Sequence, residues 1–345
     1  MMWKALWLKV ILETKMQAKG NIYLTSEQGS VGSADKAIRI FNASEQTDDE
    51  AKDVNKVTVD AENGDVYLEG VSTQIASVAQ PEGVMKLASV KAKEIINITD
   101  NGSVKLLGDV VTSDGENGST TITAKNKIYQ TYDNTKDSGN SALKTNTAVL
   151  RSVNGIDLGS KANELANVYF ANTDTDGTED TAVKIGNSGS KALKMQDIND
   201  AGNKDGNIRI HNYKGGSGND VVVDADGLQA KGSVEIINDE QGVVINGAVD
   251  ALNGYIQVTS EKDITNNNGA MTAKTYINMN AKNNITNTGA LMAGTDTVLH
   301  AGSSIDNQGA ITSTTGKAEL TADTGKVNNT KAITADTDVT LKGLY

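Results

Sequence analysis

The residues of this chain best suited to hold a ligand or move a proton lie in short, acidic, glycine-rich phrases. The phrase GGSGNDVVV, residues 215–223, follows the nonapeptide G-G-x-G-x-D-x-U-x, in which Asp220 would hold calcium between successive turns of a β-roll. Such an ion needs ligands from adjacent tandem copies, and the next nine residues, DADGLQAKG, do not repeat the pattern. A glycine-rich turn entering a valine strand is the other reading. The phrase NTDTDGTED sets Asn172, Asp174 and Asp176 at alternate positions before Gly177, like the first half of an oxygen-ligand calcium loop. Its closing carboxylate is missing, because Val183 occupies the twelfth position, and a solvated acidic loop accounts for it equally. Asp220, Asp174 and Asp176 are thus the calcium candidates, and no other cofactor is expected.

His211 and His300 are the only histidines and cysteine is absent, so the usual zinc ligand sets are not available. No G-x-S-x-G phrase supports a nucleophilic triad. Aligning TDTVLHAG with TDVTLKG places His300 opposite Lys342, and both histidines read as surface residues. Parallel β-helices also serve as polysaccharide lyases and glycosidases, with paired carboxylates set in a groove. Here the acids concentrate in inserts and turns, and nine Tyr, two Trp and two Phe are thinly scattered, so the chain is not expected to be an enzyme. Asn-x-Ser/Thr sequons at Asn42, Asn97, Asn101, Asn117 and Asn284 offer glycosylation acceptors.

The elements that would carry these residues are short strands. Turn signals precede apolar alternation in GNIYL, NGDVYLEG, NGSVKLLG, NGIDLG, GNIRIHN, GSVEIIN and NGYIQV, so that Val, Ile and Leu fall on one strand face. Gly or Asn at each turn supplies positive φ without steric cost. Near the C-terminus the phrases KDITNNNGAMTA, NNITNTGALMAG and SSIDNQGAITS repeat at about twenty residues. A unit of that size cannot bury its own apolar face and must stack on its neighbours.

Stacking predicts columns. Ile264, Ile285, Ile305 and Val327 share one face, and Met271, Leu291, Ile311 and Ile333 a second. Ala270, Ala290, Ala310 and Ala332 are expected to line a third. Asn266, Asn287, Asn307 and Asn329 would form an amide ladder, with Gly269, Gly289 and Gly309 at the turns and Lys331 in the place of the fourth glycine. The expected fold is all-β, a coiled solenoid with rungs of 20–22 residues. Roughly sixteen turns at 4.7–4.9 Å would make a rod on the order of 75–80 Å long. Residues 1–250 read as irregular rungs with acidic and polar inserts, among them ASEQTDDEAKD, SDGENGST, YDNTKDSGNSA, ANTDTDGTED and DINDAGNKDGN. Residues 251–345 read as regular repeats of one continuous solenoid. Exposed ends of such a stack would favour end-to-end association.

Composition narrows the function. The formal charge is −12 with no Lys/Arg cluster along the sequence, which argues against nucleic acid or an anionic membrane surface as partner. No apolar run is long enough to span a bilayer, so membrane insertion is not expected. The opening MMWKALWLKVIL carries no cleavage site and reads as a first rung or cap.

The C-terminal phrases, above all ITNTGALMAGTDTVLHAGSSIDNQGAITS and IDNQGAITSTTGKAELTADTGKVNNTKAITADTDVTLKG, resemble the repeats of filamentous haemagglutinin-type adhesins. These include the leukotoxin-family filamentous adhesins and are exported by two-partner secretion. The resemblance covers residues 232–342 and is looser upstream. It implies a right-handed parallel β-helix, a place in the shaft of a large surface-exposed or released protein of a Gram-negative bacterium, and an outer-membrane secretion partner. It also implies a host-cell or neighbouring-cell receptor or glycan as the bound partner. The Asn-Pro motifs of the family's secretion domain are not found, since Pro81 follows Gln80. A shaft segment is therefore expected, with a carbohydrate-active enzyme or a calcium-stabilised toxin stalk as alternatives.

Overall fold

The computed structural model describes residues 15–16, 21–42, 56–72, 83–136, 138–172, 183–198, 206–214 and 219–344. The N-terminal phrase, the insert that follows Phe41 and Asn42, and the calcium candidates Asp174 and Asp176 lie outside them.

Alternation of apolar and polar residues sets the unit of the fold. In Ile256–Ser260, Ile264–Asn266 and Met271–Ala273 every second side chain is buried, so each segment turns one face inward. Three such strands separated by tight turns make one rung. The next two rungs repeat them as Ile277–Ala281, Ile285–Asn287 and Leu291–Ala293, then Thr297–Ala301, Ile305–Asn307 and Ile311–Ser313. Every ladder between rungs is parallel: Ile256 pairs with Ile277 and Ile277 with Thr297, Ile264 with Ile285 and Ile285 with Ile305, Met271 with Leu291 and Leu291 with Ile311. The protein is an all-β solenoid of stacked parallel strands, and its described residues contain no helix.

The same columns run through residue 250. Val221 pairs with Val243 and Val243 with Ile264, and Leu228 with Val249 and Val249 with Met271. Upstream the steps are longer, from Ile22 to Val57, from Val66 to Ile96 and from Thr120 to Ala148. The inserts consume residues without adding rungs, so the described stack has fewer than sixteen turns and is correspondingly shorter than 75–80 Å at the usual strand spacing. Two of the columns merge in this half, where Val110–Thr112 pairs with Val84–Ala92 on one side and Leu143–Ser152 on the other.

The interior is thin and closed along its sides, and opens at the last rung, where Val339 and Leu341 are exposed. Ile264, Ile285, Met271, Leu291, Ile277 and Leu299 are at most 1% exposed. The amide ladder forms as the spacing predicts: Nδ2 of Asn266 donates to Oδ1 of Asn287 at 2.8 Å, Asn287 to Asn307 at 2.7 Å, and Asn307 to Asn329 at 2.6 Å. Each Nδ2 also closes its own turn on the carbonyl of Gly269, Gly289, Gly309 or Lys331, so Lys331 keeps the turn bond of the glycine it replaces. Beneath the ladder lies Ile245, and Oδ1 of Asn266 is buried without a partner.

Two expectations are corrected here. Ala270, Ala290, Ala310 and Ala332 do not line the core but are exposed. Gly269, Gly289 and Gly309 point inward, so alternation turns the following alanine out and Met271, Leu291 and Ile311 back in. The third core face belongs to the five-residue strands, with Ile277, Met279 and Ala281, then Thr297, Leu299 and Ala301. Gly269, Gly289 and Gly309 also do not serve positive φ; among them and their neighbours only Asn268 takes it, at 63°. The space for a Cβ at Gly289 or Gly309 is instead filled by the carbonyl of the stacked glycine one rung below.

One core position is poorly matched. Thr120, between Ile96 and Ala148, is fully buried with its hydroxyl unpaired. Thr120→Val keeps the shape and removes an unsatisfied donor, and is expected to stabilise the protein by about 1 kcal/mol. A shift of the urea midpoint to lower concentration would contradict this.

Candidate functional site on the lateral face

Because the core is filled, chemistry can occur only on the outer faces of the columns. The most elaborate outer surface surrounds the turns after Ile156–Leu158 and Val183–Asn187. There Gly159, and Gly186 within the second strand, carry no side chain; Gly159 and Ser160 pack on Gly186, and the insert beginning at Tyr132 folds down over Gly159. The ring and hydroxyl of Tyr132 occupy the space a Cβ of Gly159 would need. The hydroxyl of Tyr132 donates to Asp157 at 2.7 Å. Asn134 donates to the carbonyl of Gly159 at 2.7 Å and to the hydroxyl of Tyr213 at 2.9 Å, while its Oδ1 accepts from the Lys161 N–H at 2.8 Å.

His211 completes the cluster. Its ring stacks on Tyr213 with centroids 3.7 Å apart, and Nε2 lies 2.9 Å from Asp239. It is half-buried rather than a plain surface residue, because the strand Ile208–Asn212 aims it along the same outer row as Gly186, where no side chain keeps the stack apart. His300 occupies the same row further along, between Asn280 at 3.1 Å and Asp323 at 3.1 Å, and its column continues through Thr321 to Lys342 as aligned. Flanking cations are paired: Lys184 lies 3.7 Å from Asp157, and Arg209 lies 2.9 Å from Glu235.

Burial, then the hydrogen bond to Asp157, pushes the Tyr132 hydroxyl well above its usual range, so it remains a donor at physiological pH. Burial likewise raises Tyr213, against the opposing bond from Asn134. At the edge of the insert, bonds from the Thr135 hydroxyl, from Lys136 and from the Thr135 N–H lower Asp133 from 3.8 to about 2. A carboxylate lowered in this way stabilises the closed insert above its unfolded value of 3.8 and loses that effect as pH falls towards 2. Relative to the intrinsic rate at each pH, hydrogen exchange in residues 133–136 and 138–140 is therefore expected to accelerate between pH 4 and pH 2 ahead of the strand Ile256–Ser260. Equal acceleration in both segments would refute that order.

The other sequence-derived candidates fall elsewhere. Asp220 accepts from the Gly242 N–H at 2.9 Å, one rung on, so its carboxylate closes a turn between strands. The same corner repeats the device, with Asp263 accepting from Asn284 N–H at 2.9 Å and Asn284 accepting from Ser304 N–H at 3.2 Å. Among the described residues no three His, Asp or Glu side chains gather as a metal site. A recess of about 350 Å³ lined by Gln196, Asp197, Ile198, Asp226 and Gln229 is shallow and open. Sequence reasoning placed Tyr132 only within the polar insert YDNTKDSGNSA and missed Tyr213, Asp157 and Arg209, the last two of which had no signal beyond their outward positions in NGIDLG and GNIRIHN. Compared with known protein families, characterised proteins and solved structures, the chain matches none.

Proposed function

We propose that the chain is a shaft segment of a filamentous haemagglutinin-type adhesin, a rigid spacer whose lateral surface binds a host-cell or neighbouring-cell receptor or glycan. The observation that carries this reading is the division of labour in the stack. In the regular rungs core columns repeat apolar and amide side chains in strict register, and the histidines lie on outer rows; upstream Phe170 and Asp100 are the exceptions, an aromatic and a charged side chain buried in the stack. Contacts spread over many rungs add multivalently and need no catalytic pocket. On this reading the chain leaves a Gram-negative cell through an outer-membrane partner and is displayed or released at the surface.

Beads coated with the purified protein are expected to adhere to epithelial monolayers, and beads coated with heat-unfolded protein are not. Equal adhesion by both would remove the proposal. A second reading, a carbohydrate-active enzyme, is favoured by one observation: Tyr132 with Asp157 and His211 with Asp239 place two hydrogen-bonded pairs, each with a carboxylate, around one cluster. New reducing ends released from a glycan panel, and lost in Asp157→Asn, would carry that reading instead.

A further inference from the structure

Strand register assembles a row that the linear sequence hides. On the outer face of the long-strand column, Lys56 pairs with Lys86, Lys86 with Lys105, Lys105 with Tyr129, Tyr129 with Asp157, Asp157 with Lys184, Lys184 with Arg209, and Arg209 with Glu235. Five of these eight positions are cationic, in a chain of formal charge −12. Lys127, at the adjoining corner, joins Lys105 over the ring of Tyr129, at 5.8 and 5.5 Å from its centroid. The absence of a basic run in the sequence was the ground for dismissing polyanionic partners, and that ground does not survive the fold.

A neighbouring outer row shows what ordinary surface design looks like in the same molecule. Asp60, Lys91, Val111, Lys144 and Glu164 are stacked there, and their charges interleave. Lys91 bonds Glu62 at 3.0 Å and Lys144 bonds Glu164 at 2.9 Å. Like charges placed directly opposite on adjacent strands repel, so Lys56, Lys86 and Lys105 in direct succession concentrate positive charge at one end of the row, while Lys184 and Arg209 further along face Asp157 and Glu235. A ligand that bears one negative charge per strand spacing would convert that repulsion into binding.

We infer that this row binds a linear acidic polysaccharide of the polyuronate type, laid parallel to the solenoid axis. From Lys56 through Lys86 to Lys105 cations recur along the axis at about 4.7–4.9 Å per rung, about the length of one sugar ring with its linkage, so successive uronate carboxylates meet successive cations there, before Tyr129 and Asp157 interrupt the series. Tyr129, within the row, adds an aromatic edge, and the Lys105 and Lys127 ammonium groups over its ring, to the same surface. A flexible nucleic-acid strand offers phosphates without that matched spacing. The inference narrows the partner in the reading above and rests on its binding half. It is tested on a defined polymer in solution, so loss of polymer binding and loss of cell adhesion are separable.

The experiment titrates the full chain with polygalacturonate, with dextran as neutral control and with a thymidine oligonucleotide of equal charge, at several salt concentrations. Polygalacturonate is expected to bind, dextran is not, and affinity should fall with salt. Lys86→Glu with Lys105→Glu is expected to weaken binding about tenfold or more at low salt and to lower the salt slope by roughly two. Lys282→Glu with Lys326→Glu makes the same charge change away from the row and is expected to leave binding unchanged. Should the first pair impair folding by circular dichroism, Lys105→Gln alone is read instead. No binding of polygalacturonate, equal loss in both double variants, or tighter binding of the oligonucleotide would each overturn the inference.

Discussion

Asn287→Ala is expected to cost about 3–4 kcal/mol and to melt the C-terminal rungs before the rest of the stack. Asn287 is fully buried, accepts from Asn266, and donates to Asn307 and to the carbonyl of Gly289. Truncation leaves Oδ1 of Asn307 without its donor and Nδ2 of Asn266 without its acceptor in the ladder, and opens a void in the core. Asn329→Ala removes the last member of the same ladder, where the side chain is only half-buried and water can replace it, and should cost about 1 kcal/mol. Urea titration read by circular dichroism, with hydrogen exchange to locate the loss, decides the matter. Equal costs at the two positions would mean that the ladder is decorative rather than structural.

Gly309→Ala is expected to destabilise by about 2–3 kcal/mol through overpacking. A Cβ there falls well inside contact distance of the carbonyl of Gly289, and near the amide of Asn287 at 2.8 Å. Both are held by the ladder and have nowhere to move. The comparison is Gly115→Ala in the turn capped by Asp114, where a Cβ meets nothing within 4 Å and φ is not positive. That change should be neutral or stabilise by about 0.5–1 kcal/mol through the unfolded chain. Thermal denaturation of the two variants separates close packing from backbone conformation as the reason for glycine. A tolerated Gly309→Ala would show that neighbouring rungs can part.

The ladder and the lysine row differ in how they could be read. Between Ile264 and Ile305 the rungs advance by 21 and then 20 residues, so similar letters recur at nearly constant spacing and one alignment finds every column. Along the lysine row the steps from Lys56 to Lys86, Lys105, Tyr129, Asp157, Lys184 and Arg209 are all uneven. No fixed period brings those residues together. The cluster of Tyr132, Asn134 and Tyr213 was hidden for the same reason, since the bond from Asn134 to Tyr213 spans 79 residues.

By itself the sequence determined the repeating rung, the parallel stack, the isoleucine columns and the asparagine ladder. Those follow from side-chain alternation and from a unit too small to bury its own apolar face. Only the tertiary structure decided that glycine rather than alanine faces the core at the turns, that His211 rests on Tyr213, and that scattered lysines form a line. Each of these depends on strand register across inserts of unequal length. A shift of one residue in that register turns every side chain to the opposite face.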